Sequence, residues 1–313
     1  MGQYLITGGA GFIGSSLARA LIARGDSVRI IDNFSSGRRE NIADLVPRVD
    51  LIEGDILDAA ALARAMAGVE VVFHEAAIPS VPKSMAEPVE NHEANATGTL
   101  KVLAEARRVG VRRLVYAASS AAYGDDPTLP KLETMTPAPI SPYGASKLAG
   151  EHYCRVYAVA YGLETVCLRY FNVFGPRQDP ASEYAAVIPK FITMALGGQQ
   201  PRIFGDGTQS RDFCFIDNVI EANFKGASAP AAEASGRVFN VGCGTTVDLN
   251  QVVGLIGDLL GKHLQARHEP ERAGDIKHSY ADISEAKRRI GYTAGVSFVE
   301  GLRRTIEWYK TKA

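Results

Sequence analysis

Cysteine is scarce in this sequence and charge is almost cancelled. Four cysteines occur in 313 residues, at Cys154, Cys167, Cys214 and Cys243. They lie far apart and form no C-x-x-C pair, which argues against a zinc site or a disulfide framework and predicts four buried thiols in a reducing compartment. Lys and Arg number 34 against 35 Asp and Glu, a formal net charge of −1. No global field therefore draws the chain to nucleic acid or to an anionic membrane, and a small molecule is the expected partner. No apolar run approaches the ~20 residues that span a bilayer. The first apolar run, Tyr4 to Thr7, leaves no room for the charged and apolar regions of a signal peptide, and Ile6 stands where a myristoylation motif needs Ser or Thr. The expectation is a soluble, cytoplasmic protein. Internal repeats, low-complexity tracts and an obvious linker are also missing, so a chain of this length forms one large domain or two coupled lobes around a substantial core.

What is present is an alternation. "QYLITGG" is a short apolar run ending in glycines, and "FIGSSLARALIARG" carries apolar residues at helical spacing until Gly25. Strand-like "SVRIIDN", "VDLIEGDI", "VEVVFHEAA", "RRLVYAAS" and "LETVCLRYFNV" then alternate with helical "DAAALARAMAG", "ENHEANATGTLKVLAEARRVG" and "YGASKLAGEHYCRVYAVAYG". Continuous apolar strands separated by helices predict an α/β fold with a Rossmann-like, doubly wound parallel sheet. After about Gly175 the pattern loosens into Pro- and Gly-bearing segments, with one more strand-like run, "GRVFNVG". The expected division is a dinucleotide-binding domain over residues 1–174 plus about 214–246, and a smaller C-terminal substrate lobe over about 175–213 plus 247–313.

Gly8, Gly11 and Gly14 form G-x-x-G-x-x-G between the first strand and its helix. Glycines there permit a tight turn, close approach of backbone to a pyrophosphate and tight helix-on-strand packing, with the helix N-terminus facing the anion. Asp32 ends the second strand 18 residues later, where a carboxylate accepts hydrogen bonds from a ribose and repels a 2′-phosphate; this points to NAD. Arg38 and Arg39 follow closely, either as phosphate partners or as solvated loop charges. Asp55 and Ile56 lie further along the same sheet edge, facing the adenine or, for Asp55, capping the next helix.

The third motif is "SPYGASK". Tyr143 and Lys147 stand one helical turn apart, so an ammonium can lie near a phenol. A free tyrosine, with a pKa near ~10, is a poor base at neutral pH, and a nearby cation favours the phenolate. Ser119, ending the strand "LVYAAS", would offer a hydroxyl to the same substrate oxygen. Together these residues make a proton acceptor beside a hydride acceptor.

With these motifs in order, the sequence resembles an extended short-chain dehydrogenase/reductase, and within that superfamily the NAD-dependent UDP-sugar 4-epimerases. "TGGAGFIG", "DNFSSG", "GDI", "HEAA", "SSAAYGD", "SPYGASK", "LRYFNVFGPRQ", "AAVIPKFI", "FGDGTQSRDF" and "RAGDIKHS" all match in order, over nearly the whole chain. The resemblance implies Ser119, Tyr143 and Lys147 as the catalytic group. It implies NAD contacts from Gly8, Gly11, Phe12, Ile13, Gly14, Asp32, Asn33, Ser36, Gly37, Asp55, Ile56, Ala76, Ala77, Asn95, Tyr143, Lys147 and Tyr170. It also implies that Ser80, Lys83, Ser119, Ser120, Asn172, Val187, Lys190, Arg211, Arg272, Asp275 and Ser279 face the UDP-sugar, with Val187 packed on uracil and the two arginines on the diphosphate. An isolated ion pair, such as Arg211 with Asp217, is the plainer reading of each arginine.

Related 4,6-dehydratases carry an acid where this chain has Ala121, which argues against elimination of water. Ser279 falls where a bulky tyrosine would restrict such enzymes to glucose and galactose. A serine leaves room for an N-acetyl group, so UDP-N-acetylglucosamine joins UDP-glucose and UDP-galactose as an expected substrate. UDP-glucuronate epimerisation or decarboxylation is the alternative, with Lys83 or Arg177 facing the carboxylate. A noncatalytic nucleotide-binding regulator is a distant third. His74 reads as structural. The resemblance further suggests a homodimer through the helices beginning near Asn91 and Tyr143.

Overall fold

A computed structural model describes residues 2–180, 187–271 and 277–312. The chain alternates as the periodicity predicts: β1 (Gln3–Thr7), α1 (Phe12–Ala23), β2 (Ser27–Asp32), β3 (Asp50–Glu53), α2 (Ala59–Met66) and β4 (Val71–His74). The short helices α3 (Val81–Ala86) and α4 (Pro88–His92) follow, then α5 (Gly98–Val109), β5 (Arg113–Ser119), α6 (Pro142–Tyr161) and β6 (Glu164–Tyr170). The sheet has seven parallel strands in the order β3-β2-β1-β4-β5-β6, with Arg237–Val241 beside β6 at the edge. The strand order reverses between β1 and β4, which opens a crevice at their carboxyl ends.

Every residue of β4 and β5 is buried, which explains why they read as unbroken apolar runs. Alternate side chains leave on opposite faces. Ile30, Phe73 and Val115 pack with Leu17 and Leu21 of α1 on one side. Ile31, Val72 and Leu114 pack with Leu62, Val102 and Leu103 on the other. At roughly 25 cal/mol per Å² of apolar surface, these two layers supply most of the driving force.

The run from α4 to α5, expected as one plain helix, carries a π-helical segment at Glu93–Thr97. Two contacts account for it. The Thr99 hydroxyl donates to the Asn95 carbonyl at 2.5 Å, and Gly98 sits so close to Ile56 that a Cβ would lie 2.6 Å from Ile56 Cδ1.

C-terminal to β6, helices Val187–Leu196, Leu249–Leu260 and Phe298–Lys310 accompany a small sheet of Val247–Asp248, Ser210–Arg211 and His278–Ser279. Buried Asp212 ties these pieces together, accepting from the backbone N–H of Cys243 (2.7 Å), Gly244 (3.0 Å) and Ala281 (3.2 Å).

Candidate active site

A cavity of about 980 Å³ lies over the carboxyl ends of the strands. One end of its wall is the β1–α1 loop. Gly8 adopts φ +69°, and a Cβ on Gly14 would stand 2.3 Å from the Gly8 carbonyl oxygen. The loop therefore has no room for side chains at these points. Gly11 caps α1 without any side-chain hydrogen bond, and its first turn holds no acidic residue, so the helix N-terminus is left to an anion. Asp32, buried at the tip of β2, accepts from Ala10 N–H and Phe34 N–H, both at 2.8 Å. Burial holds its carboxyl above the usual range, against those two hydrogen bonds. Gly37 presses on it, since a Cβ there would come within 2.8 Å of Asp32 Oδ1. Asn33 donates to Asp55 at 2.8 Å. Arg39 is committed to Glu53 through two bonds of 2.7 and 2.6 Å, and Arg38 pairs with Asp179. The solvated reading of Arg39 is thus the one its geometry favours.

The middle of the wall carries the proposed chemistry. β5 ends at Ser119, whose hydroxyl oxygen accepts from Ala121 N–H at 3.2 Å. α6 starts where it does because Ser141 accepts from Gly144 N–H at 3.1 Å and Pro142 occupies the first turn. Tyr143 N–H in turn donates to Ser84 at 3.1 Å. Lys147 is only 3% exposed; its ammonium donates to the Ala117 carbonyl at 2.8 Å and stands 5.0 Å above the Tyr116 ring. Burial pushes that ammonium down to about 8. In the cofactor-free chain burial raises the Tyr143 phenol, with Ser119 acting against it and Glu75 adding to it.

Gly8, Gly11, Phe12, Ile13, Gly14, Asp32, Asn33, Ser36, Gly37, Asp55, Ile56, Ala76, Ala77 and Tyr170 line the cavity with Ser119, Tyr143 and Lys147. Ser80, Lys83, Ser120, Asn172, Val187 and Arg211 line it too. Asn95, Lys190 and Ser279 are not in this lining. Asn95 sits one layer behind, accepting from Ile78 N–H at 2.8 Å and donating to Ser146 at 3.1 Å. It shapes the Ile78 segment instead of facing the cavity. Lys190 lies on helix Val187–Leu196, and Ser279 pairs with Arg211 in the small sheet. Arg272 and Asp275 lie outside the described residues. Asp217, offered as a partner for Arg211, pairs with Arg304 at 3.1 Å. Arg211 itself donates to the carbonyls of Ser210 (2.9 Å) and Lys277 (3.1 Å).

Ser80 caps α3, accepting from Lys83 N–H at 3.0 Å. Lys83 pairs with Glu90 at 3.0 Å and Glu87 at 3.4 Å. His74 is buried between Thr7 (2.7 Å) and Thr99 (2.9 Å), and burial holds its imidazole down to about 3; it is a neutral core residue. Thr99 donates to Asn95 O, so Nε2 is the donor toward Thr99 and Nδ1 accepts from Thr7.

One lining residue escaped the sequence reading. Glu75 lies in the cavity wall and accepts from the Tyr170 hydroxyl at 2.9 Å. The available signal was a carboxylate directly after a fully apolar strand, a position where an acid is costly without a task.

This fold and this cavity define a dinucleotide-dependent enzyme. The chain belongs to the NAD dependent epimerase/dehydratase family, which matches residues 4–242. It is 38% identical to the UDP-glucose 4-epimerase of Mycolicibacterium smegmatis, over 99% of each chain. It superposes with TM-score 0.93 on the UDP-glucose 4-epimerase of Thermotoga maritima, solved with UDP-glucose, at 37% identity over 99% of each chain. The UDP-N-acetylglucosamine 4-epimerase of Methanobrevibacter ruminantium, in complex with UDP-N-acetylmuramic acid, also gives 0.93 at 40% identity, covering 100% of this chain and 99% of that one.

Proposed function

We propose that this enzyme interconverts the 4-epimers of a UDP-hexose in a pocket that admits N-acetylated sugars. The supporting observation is one continuous cavity. It brings the glycine cradle and Asp32 to one end, Ser119, Tyr143 and Lys147 to the middle, and Asn172, Val187 and Arg211 to the far wall.

The cradle fits a dinucleotide, because side chains at Gly8 and Gly14 would fill the space a pyrophosphate needs and the α1 N-terminus is uncapped. NAD, when bound there, supplies a reversible hydride acceptor. Ser119 orients the sugar's 4-hydroxyl and Tyr143 takes its proton, holding it while the 4-keto sugar turns and then returning it to the same oxygen; inversion at carbon 4 would follow from return of the hydride to the opposite face. Lys147 keeps positive charge below the phenol. Arg211 clamps the diphosphate from the substrate lobe, with Arg272 and Asp275 expected to join it. This assigns the division between the two lobes to the surfaces on either side of the cavity.

Two features disfavour the uronate alternative at Lys83, while Arg177, its other candidate, lines the cavity. Lys83 is spent on Glu87 and Glu90, and Glu90 and Glu93 face the same end of the cavity, so that end repels a carboxylate. Homodimerisation through α6 is part of the same proposal, because α6 exposes Tyr153, Val156 and Val159, the last 81% exposed, and α3 and α4 add Met85 and Val89. A cytoplasmic location follows the same reading; no described helix is long and apolar enough to cross a membrane.

The test is proton NMR of purified protein with UDP-N-acetylglucosamine, UDP-glucose and UDP-glucuronate in separate tubes. Formation of a galacto epimer without net NADH supports the proposal. Accumulation of NADH or release of carbon dioxide refutes it.

A further inference from the structure

Glu75 has no part in the chemistry above, yet three elements hold it in place. Its N–H donates to Thr7 O at 3.2 Å, extending the pairing of β1 and β4 by one residue. The β4–β5 register, with His74 beside Tyr116, continues to set Glu75 next to the small Ala117, and its carboxylate meets β6, where the Tyr170 hydroxyl donates to Oε1 at 2.9 Å. Asn223, from helix Ile216–Ser228, donates to the same phenol oxygen at 2.8 Å. Lys147 donates to the carbonyl of that same Ala117. A carboxylate and an ammonium thus line one cavity, each next to the same alanine.

Few other ionisable groups face this pair. From β4 comes neutral His74, and from β5 Tyr116 turns its ring to Lys147. α6 contributes Tyr143, Cys154 and Glu151, and β6 contributes Cys167, Tyr170 and Arg169, with Cys214 beside Tyr170. Glu151 is taken by Arg169 through two bonds of 2.8 and 2.7 Å. Among the described residues, Glu75 is therefore the carboxylate left to answer Lys147.

We propose that Glu75 is a positioning residue that offsets the charge of Lys147, so that Tyr143 keeps its proton in the cofactor-free enzyme and gives it up once a cationic ring occupies the cavity. The inference deepens the epimerase reading and rests on Tyr143 as its base. Site charge explains it: with Glu75 ionised this part of the cavity is neutral, and a phenolate would make it negative. A bound nicotinamide cation restores the balance, tying proton abstraction to a loaded cofactor. The shifts agree in direction, since Glu75 raises both Lys147 and Tyr143; burial pushes the Glu75 carboxyl up to about 7, so its charge acts above that pH, where the phenol titrates.

The experiment is an ultraviolet difference titration of phenolate in NAD-free protein, taken against Tyr143→Phe so that only this phenol is counted. Glu75→Gln preserves an acceptor for Tyr170 and removes the charge. Its Tyr143 midpoint is expected about one pH unit or more below wild type, and the acid limb of kcat/KM should move the same way. Glu75→Asp keeps the charge and should keep a near-wild-type midpoint. An unchanged or raised midpoint in Glu75→Gln overturns the proposal, as does a Glu75→Asp midpoint that falls equally, because charge would then not be the cause. If Glu75→Gln does not fold, Glu75→Ser, which also removes the charge, is read in its place with the same expected fall and the same refuting result. The titration needs no sugar, so failure of wild-type protein to epimerise any UDP-hexose would refute the function while leaving this result readable.

Discussion

Acidifying the NAD-free protein should expose His74. The imidazole is fully enclosed between Thr7 and Thr99, and burial, with a smaller contribution from Lys147, holds it down to about 3 from an ordinary 6.5. Between those values the unfolded chain binds a proton that the folded chain refuses. Stability contributed by this residue is therefore complete above pH ~6.5 and declines as pH falls toward 3. With 1.36 kcal/mol per unit, the loss at pH 5 relative to pH 8 is about 2 kcal/mol. Its chain neighbour Glu75 acts in the opposite sense. Its raised carboxyl is stabilising below the unfolded value of 4.5 and loses that contribution as pH rises through about 7. The wild-type profile alone would blur the two, so the observable is the difference between wild type and His74→Gln, which leaves Glu75 in both proteins. Urea unfolding at pH 5, 6, 7 and 8 should show the advantage of wild type over the variant shrinking by about 2 kcal/mol toward pH 5. A difference constant across that range would mean that the imidazole takes a proton in the folded state, and the reading of His74 as a neutral core residue would be wrong.

Tyr143→Phe should lower turnover by about 10²- to 10⁴-fold with NAD affinity retained, checked by NMR rate and by fluorescence titration of the cofactor; a mild loss would remove Tyr143 from the reaction. Gly14→Ala places a methyl 2.3 Å from Gly8 O. The loop must open at about 1–3 kcal/mol, weakening NAD binding about ten- to hundredfold in calorimetry. Glu151→Gln strands the Arg169 guanidinium, whose partner pair is 3% exposed on each side. It should cost about 3–5 kcal/mol in urea unfolding, and the double variant with both residues replaced by Met should recover much of that.

The strand-helix alternation was legible because a parallel sheet buried on both faces leaves a local trace: apolar runs such as "VVFH" need no alternation to betray them. The glycine loop, Asp32, Ser119 and the Tyr143–Lys147 pair were legible for the same reason, since each occupies a fixed place at the end of a strand or the start of a helix. The π-helical segment was not, because one of the two contacts behind it, Gly98 against Ile56, joins remote parts of the chain. Asn95 looked like a cofactor ligand from its helix alone, and the winding of that segment turned it behind the wall.

Local spacing, then, determined the sheet, the dinucleotide cradle and the identity of the Ser, Tyr and Lys group, since propensity, periodicity and short-range geometry act over a few residues. Tertiary structure alone decided how those groups are charged. It set Lys147 against the Ala117 carbonyl, Glu75 against Tyr170, and Arg39 against Glu53. Desolvation and long-range pairing depend on what surrounds a side chain, and residues 75 and 170 acquire a common environment only when β4, β5 and β6 lie side by side.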